Sequence, residues 1–445
     1  MKQQASNPTG KLCTMKKFYY LLMCLFLAGL SACCRIPLSR EASSRNKNTD
    51  SPQQCKRCQT PPLLKMALPE IIYAAPGIES NIYFENVVDS STPQAYAYEV
   101  RCRKGTQAQH RWYWTPEEKD AGKTFELQLS LYNDYGLAGS AKCKVVVAKK
   151  AVHPEKKITL ALLAASGVNS GYPARLMEVM RKTGFVNYTP VGSHAGAGKK
   201  VVPGGIAHDG YGGFSWNSFL SRWVFSTEEL QGIQDKAEIA QMKALGVQNI
   251  PPKRLYRYRS PLLRIRNGKK VLDIPAWLQK INQGKAPDFI IINLGGNDVF
   301  GTRPHQLDQR IVQVMQNAAT LLKELRKHAP DAIIGVTTGP AGCGQDGFGV
   351  NYGCRQSKFQ FRRNIQRYNR ELAKFLKDLK DPRIHLVPMH QNIDPGNSYL
   401  TAWKQAHARS RKRVQIDNNA LHPSAEGGAQ LADAIYCFLR KQLEK

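Results

Sequence analysis

Four short segments of this 445-residue chain carry groups able to perform nucleophilic acyl transfer if they meet. Ser166 follows the apolar run 158–163 through Ala164 and Ala165, where a hydroxyl can be presented near a helix start. A serine in such a turn is equally an ordinary cap. Gly212 and Gly213 stand in AHDGYGGFSW, residues 207–216. Paired glycines let backbone N–H groups face a cavity unobstructed, or simply make a tight turn. Asn297 closes Asn293-Leu294-Gly295-Gly296-Asn297-Asp298. Its amide can stabilise a developing oxyanion without adding charge, and an Asx turn is the alternative. His422, in Asp417-Asn418-Asn419-Ala420-Leu421-His422-Pro423-Ser424, precedes the last helical segment. An imidazole there can take and return a proton as a general base, although a loop histidine is often just a surface residue.

The elements around these segments give them a common address. From about residue 157, apolar strands at 158–163, 289–294, 332–336 and 385–387 alternate with helical spacing at 173–180, 311–325, 362–379 and 428–439. Such alternation predicts a parallel sheet covered by helices, with functional residues at the C-terminal ends of the strands. Residues 63–150 read differently. Apolar and aromatic runs at 71–73, 81–84, 96–100, 125–129 and 143–147 are separated by turn residues, and several alternate with period two. This predicts a small all-β sandwich domain, similar to immunoglobulin-like or cadherin-like modules, and no residue in it suggests chemistry.

Taken together, the order Ser166, Gly213, Asn297, His422 resembles the blocks of the SGNH (GDSL-like) hydrolases. The resemblance spans roughly 157–443 and is most specific at Gly295-Gly296-Asn297-Asp298 and His422-Pro423. The stretches AHDGYGGFSW, GQDGFGVNYG and NNALHPSAEGG look closest to carbohydrate-esterase-like members. The resemblance implies an SGNH-like (flavodoxin-like) three-layer α/β fold over 157–445, and a serine esterase acting on short acyl esters, acetyl above all, on carbohydrate. It makes Ser166 the nucleophile, His422 the base, and Ser166 N–H, Gly213 N–H and the Asn297 side chain the oxyanion hole. It calls for no metal and no organic cofactor. Two positions depart from the pattern. Ala164-Ala165-Ser166 stands where the family has Gly-Asp-Ser, and Asn419 stands three residues before the histidine where the family has Asp. Asn419 or a backbone carbonyl, and not Asp417, is therefore expected to accept from the imidazole, while Ser170 is expected to cap the following helix. Tyr211, Phe214 and Trp216, beside the presumed oxyanion glycine, are expected to stack on a sugar ring. The readings that compete with this one are a non-catalytic glycan-binding lipoprotein on the same fold, and a lipase or thioesterase acting on membrane lipids.

The N-terminal segment carries an address. Lys16 and Lys17 precede an apolar run, 18–30, that ends Leu30-Ser31-Ala32-Cys33 and resembles a bacterial lipobox. Residues 1–32 then form a lipoprotein signal, Cys33 is lipidated, and the polar stretch 33–62 is a flexible tether. This predicts an exported bacterial membrane lipoprotein, facing the periplasm or the cell surface, with the membrane as a partner through its anchor and with oligomeric state left open. The formal charge is +30, concentrated in part at Lys253, Arg254, Arg257, Arg259, Arg264, Arg266, Lys269 and Lys270. No nucleic-acid partner is expected, because an exported protein meets anionic lipids and acidic glycans first. Export also makes the eleven cysteines disulfide candidates, with Cys102–Cys143 and Cys343–Cys354 as possible pairs. Cys55 and Cys58 form a CxxC in the polar tether with no matching second pair, and Cys437 reads as a buried free thiol.

Overall fold

The computed structural model describes residues 63–150, 155–185, 187–197, 205–342, 345–350 and 353–444. The signal, Cys33, the tether, Cys55, Cys58 and Cys343 lie outside the described residues. Over the described part the architecture is mixed α/β, with a β-rich N-terminal region ahead of a three-layer body.

The body is built on a seven-stranded sheet. Its spatial order is His194–Ala197, Ile206–Gly210, Ile158–Ala164, Phe289–Asn293, Ile333–Thr337, Ile384–Val387, with Tyr188–Val191 also paired to Ile158–Ala164. All pairs are parallel except the one made by His194–Ala197. Parallel strands covered on both faces must be apolar throughout, and Ile158–Ala164 is buried at every position. Helices Tyr172–Lys182 and Ala425–Gln442 pack together, and Leu307–His328 packs with Lys358–Leu379. The helix starts are written locally. Pro173 stands in the first turn of Tyr172–Lys182, and Ser424 accepts from Gly427 N–H at the head of Ala425–Gln442.

The N-terminal region forms one four-stranded sheet, ordered Ile71–Ala74, Gly136–Val147, Thr124–Asn133, Ala97–Cys102, and one three-stranded sheet made by Ser80–Tyr83, Arg111–Trp114 and Thr106–Gln107. Both sheets contribute to a core of their own around Ile72, Ile82, Trp112, Leu127, Leu129 and Val145. That core sits beside the body and is joined to it by buried polar contacts. Asn86 Nδ2 donates to His390 O and Ile393 O (2.9 and 2.8 Å), and Asn81 N–H donates to Asn392 Oδ1 (2.8 Å). Glu85 pairs with Arg362 at 2.9 Å and Lys358 at 3.2 Å.

The expected Cys102–Cys143 bridge is absent, and both thiols are free. Cys102 and Cys143 each pair in register with Leu127, one on either side of its strand. Two strand spacings put their backbones roughly 10 Å apart, beyond the ~7 Å limit for a disulfide. Cys354 is also a free thiol, receiving the Gly349 N–H at 3.2 Å. Cys437 is buried and free, and burial pushes its thiol pKa up.

Candidate active site

Three neighbouring strands of the sheet end together, and their register sets the site. Ala164 pairs with Gly210 on one side and Asn293 on the other. Just beyond, Tyr211 N–H donates to Ala164 O at 3.0 Å and Ala165 N–H to Asn293 O at 3.2 Å. The turn at 211–214, the Ser166 turn and the Asn297 loop are thus stitched side by side at the C-terminal edge.

Ser166 opens a 3-10 turn, Ser166–Ser170, in a half-buried position. Its Oγ lies 2.8 Å from His422 Nε2, and His422 Nδ1 lies 2.9 Å from Asn419 Oδ1. The proton positions follow from the neighbours. Asn419 Oδ1 also accepts the backbone N–H groups of Leu421 (3.0 Å) and His422 (2.9 Å), which only an oxygen can satisfy. The amide orientation is fixed, Nδ1 must be the N–H donor, and Nε2 is left as the acceptor for the serine hydroxyl. Burial lowers the His422 pKa below its ordinary value, which favours the neutral ring.

Asn297 is held from the other side. Its Nδ2 donates to Phe214 O at 2.8 Å, which fixes the amide and leaves its second N–H unused by that bond. Gly295, at φ +109, carries the loop over Tyr368, where a Cβ would lie 2.2 Å from the ring. Asp298 follows and accepts Trp216 N–H at 3.2 Å; burial raises its carboxyl pKa to about 6. Gly213 is exposed at φ +73 in the Tyr211–Phe214 turn, whose closing bond is Phe214 N–H to Tyr211 O. A side chain there would be strained. Ser166, His422 and Asn419 therefore form one hydrogen-bonded chain, while Asn297 and the Gly213 turn, joined through Phe214 O, follow the two strands that flank Ile158–Ala164.

Three expectations require correction. Tyr211, Phe214 and Trp216 are at most 3% exposed, so they cannot stack on a sugar ring. The turn folds them inward, where Tyr211 and Phe214 pack at 4.7 Å and Trp216 Nε1 donates to Tyr368 Oη. Ser170 does not cap the next helix. Its hydroxyl donates to Gly167 O at 2.8 Å, and Gly171, at φ +84, holds the cap position. The 3-10 turn also separates Ser166 from that helix, so Ser166 does not sit at its N-terminus.

Asp209 was not singled out from the sequence, though it lies in the quoted AHDGYGGFSW. It is fully buried, and its carboxylate accepts from Tyr211 Oη (2.8 Å), Trp277 Nε1 (2.9 Å) and Ser193 N–H (3.2 Å). A carboxylate so satisfied anchors the turn that carries Gly213.

A family model described as GDSL-like Lipase/Acylhydrolase matches residues 197–435, a span that includes Gly213, Asn297, Asn419 and His422 but begins after Ser166. No curated protein sequence matches the chain. Among solved structures, the chain is similar to the Clostridium thermocellum family 3 carbohydrate esterase at 14% identity and a TM-score of 0.37, over 65% of this chain and 98% of that one. It is similar to a family 3 carbohydrate esterase from Talaromyces cellulolyticus at 13% identity and a TM-score of 0.35, over 64% and 98%. A family two carbohydrate esterase from Clostridium thermocellum, in complex with cellohexaose, matches at 11% identity and a TM-score of 0.31, over 84% and 94%. With more than half of its length inside the family model, the chain belongs to the GDSL-like lipase/acylhydrolase family and is an ester-cleaving hydrolase.

Proposed function

We propose that the chain is a serine esterase that removes short acyl groups, acetyl above all, from carbohydrate through an acyl-enzyme on Ser166. The observation that carries this reading is the hydrogen-bonded series from Ser166 Oγ through His422 to Asn419. In the first half-reaction Ser166 Oγ attacks the ester carbonyl while His422 Nε2 takes its proton. Asn419 Oδ1 holds the imidazolium through Nδ1–H, and Ser166 N–H, Gly213 N–H and Asn297 receive the oxyanion. The C–O bond breaks, the alcohol oxygen of the sugar takes the proton from Nε2, and an acyl-serine remains. Water, deprotonated by the same nitrogen, repeats the attack and releases the acid.

The carbohydrate part of the reading is supported by the sequence resemblance in AHDGYGGFSW, GQDGFGVNYG and NNALHPSAEGG. Hydrolysis of 4-nitrophenyl acetate, lost in Ser166→Ala, tests the esterase reading. A chain-length series tests the acyl preference: an acyl channel adds ~0.8 kcal/mol per buried methylene, and a preference for eight carbons or more would overturn it. Export and lipidation at Cys33 belong to the same reading. If Cys33→Ala is processed and partitions into detergent like the parent, the anchor does not exist as proposed.

A further inference from the structure

The chain between Asp394 and Asp417 contains no acidic residue and carries Lys404, Arg409, Arg411, Lys412 and Arg413. It folds as an antiparallel hairpin, Thr401–Gln405 against Arg413–Asp417. All five cations are exposed, and none makes a salt bridge among the described residues. The hairpin is not a remote decoration. Leu400 N–H donates to His422 O, Asn418 N–H donates to Leu400 O, and Tyr399 bridges to Pro423, so its base is the loop that holds His422.

One face of the hairpin has the chemistry of a sugar subsite. The register pairs Trp403 with Gln415 and Gln405 with Arg413, which sets an indole, two amides and a guanidinium on one side, with the Thr401–Asp417 pair on the same face at the base, next to the His422 loop. Trp403 is 58% exposed. A flat aromatic surface beside in-plane donors and acceptors suits pyranose rings and their hydroxyls. Insertion into a lipid surface would need several adjacent apolar side chains, and the hairpin offers Trp403 with only Leu400 at its base.

A second cation stands across the site. Arg222 lies over the Phe214 ring at 4.9 Å and the Tyr258 ring at 5.5 Å, with its Nη1 3.9 Å from where a Gly213 Cβ would be. It has no carboxylate partner among the described residues. In the sheet, the Gly213 turn follows the strand on one side of Ile158–Ala164. The His422 loop lies towards the other side, where Ala420 O comes within 2.7 Å of a Cβ placed on Gly342, just past Ile333–Thr337.

We propose that the Thr401–Asp417 hairpin is a substrate arm that binds an anionic glycan chain beside the ester cleaved at Ser166, with Arg222 meeting the same chain from the opposite flank. This rests on the esterase reading and names its substrate class. Complementary charge recruits the chain, and Trp403 seats one of its rings.

The experiment compares O-acetylated polygalacturonate with neutral O-acetylated xylan and 4-nitrophenyl acetate, on the full chain. The expected kcat/KM ratio of anionic to neutral polymer is about tenfold or more at low ionic strength, falling as salt is added. The triple variant Arg409→Gln, Arg411→Gln, Arg413→Gln should lower that ratio about tenfold, mainly through KM, whereas Trp403→Ala should raise KM about tenfold for the polymers and leave 4-nitrophenyl acetate unaffected. Arg222→Gln should lower the ratio as well. Thermal unfolding of each variant shows whether the fold is kept, and the charge variant decides if Trp403→Ala unfolds. Turnover of neutral esters without an anionic preference, a ratio unchanged in the charge variants, or polymer KM unchanged in a folded Trp403→Ala overturns the arm while leaving the esterase standing. Hairpin-dependent binding to phosphatidylglycerol vesicles without polymer preference overturns it in favour of a membrane contact. No turnover of any ester overturns the esterase reading and the arm with it.

Discussion

Two histidines of this chain, His390 just after the strand Ile384–Val387 and His422 just after the Thr401–Asp417 hairpin, have surroundings that suit them to opposite work. His390 is fully buried where the N-terminal β-rich region meets the body. Its Nε2 donates to Ala67 O and its Nδ1 accepts from Thr338 Oγ1, both at 2.8 Å. Burial lowers its pKa to about 4, so both nitrogens are committed to holding two parts of the fold together as a neutral ring. His422 is half-buried, with one nitrogen fixed by Asn419 and the other meeting, among the described residues, the hydroxyl of Ser166. A histidine satisfied on both sides by immovable groups is a structural cross-brace. One held on a single side, and facing a group that can lose a proton, is available as a base.

That contrast can be broken most decisively at the serine. Ser166→Ala should lose ~10³-fold or more in turnover, leaving what the oxyanion donors and binding supply, with an unfolding transition like that of the parent. A fluorophosphonate probe should label Ser166 in the parent and nothing in the variant. Label on Ser170, or full activity in Ser166→Ala, would show that the Ser166–His422 contact is not the reacting pair.

The second expected effect falls on stability. His390→Leu keeps the bulk but strands Ala67 O, a cost of about 1–3 kcal/mol for a buried group left unpaired, and takes the acceptor from the Thr338 O–H, whose oxygen still receives the Met389 and His390 N–H groups. The thermal midpoint should fall while the remaining folded protein still turns over ester. The pH dependence has a definite sign. The unfolded chain protonates this histidine near its ordinary pKa of about 6.5, whereas the folded chain resists down to about 4. Its contribution is therefore full above 6.5 and is lost as pH falls through that window. The variant should lack this share of the acid sensitivity. An unchanged midpoint would remove His390 from the list of braces.

Legibility from the sequence followed the length and regularity of each element. The strands at 158–163 and 289–294 were readable because runs that are apolar but for Thr159 and Asn293, ahead of glycines, have few other interpretations, and they fixed where Ser166 and Asn297 would emerge. Orientation was not readable. Tyr211, Phe214 and Trp216 surround the exposed Gly213 in the sequence, yet the tight turn reverses the chain and turns all three inward. The cysteine pair failed for a related reason: strand order decides distance, and no local pattern announces that a strand lies between Cys102 and Cys143. The Thr401–Asp417 hairpin was missed because its two five-residue strands carry few apolar residues and no strong turn dipeptide.

The finest test of the comparison is Asn419→Asp. In the parent, burial alone lowers the His422 pKa, so the acid limb of kcat/KM should lie below the ordinary histidine value. A carboxylate at position 419 can keep the bonds from the Leu421 and His422 N–H groups and still accept Nδ1–H at 2.9 Å. It adds a negative charge that favours the imidazolium, and an opposite charge at that range raises a pKa by about 1–3 units. The acid limb should therefore move to higher pH, and activity near pH 5.5 should fall. At pH 8 turnover should rise, because the imidazolium formed during attack is now stabilised. The gain should be far smaller than the ~10⁴-fold cost known for a serine protease when the orienting aspartate becomes asparagine, since much of that cost is a wrong tautomer. Here the two backbone N–H groups already force Asn419 to present oxygen, so only the electrostatic part remains to be added. An acid limb that does not move would mean that Asn419 does not face the ring during turnover.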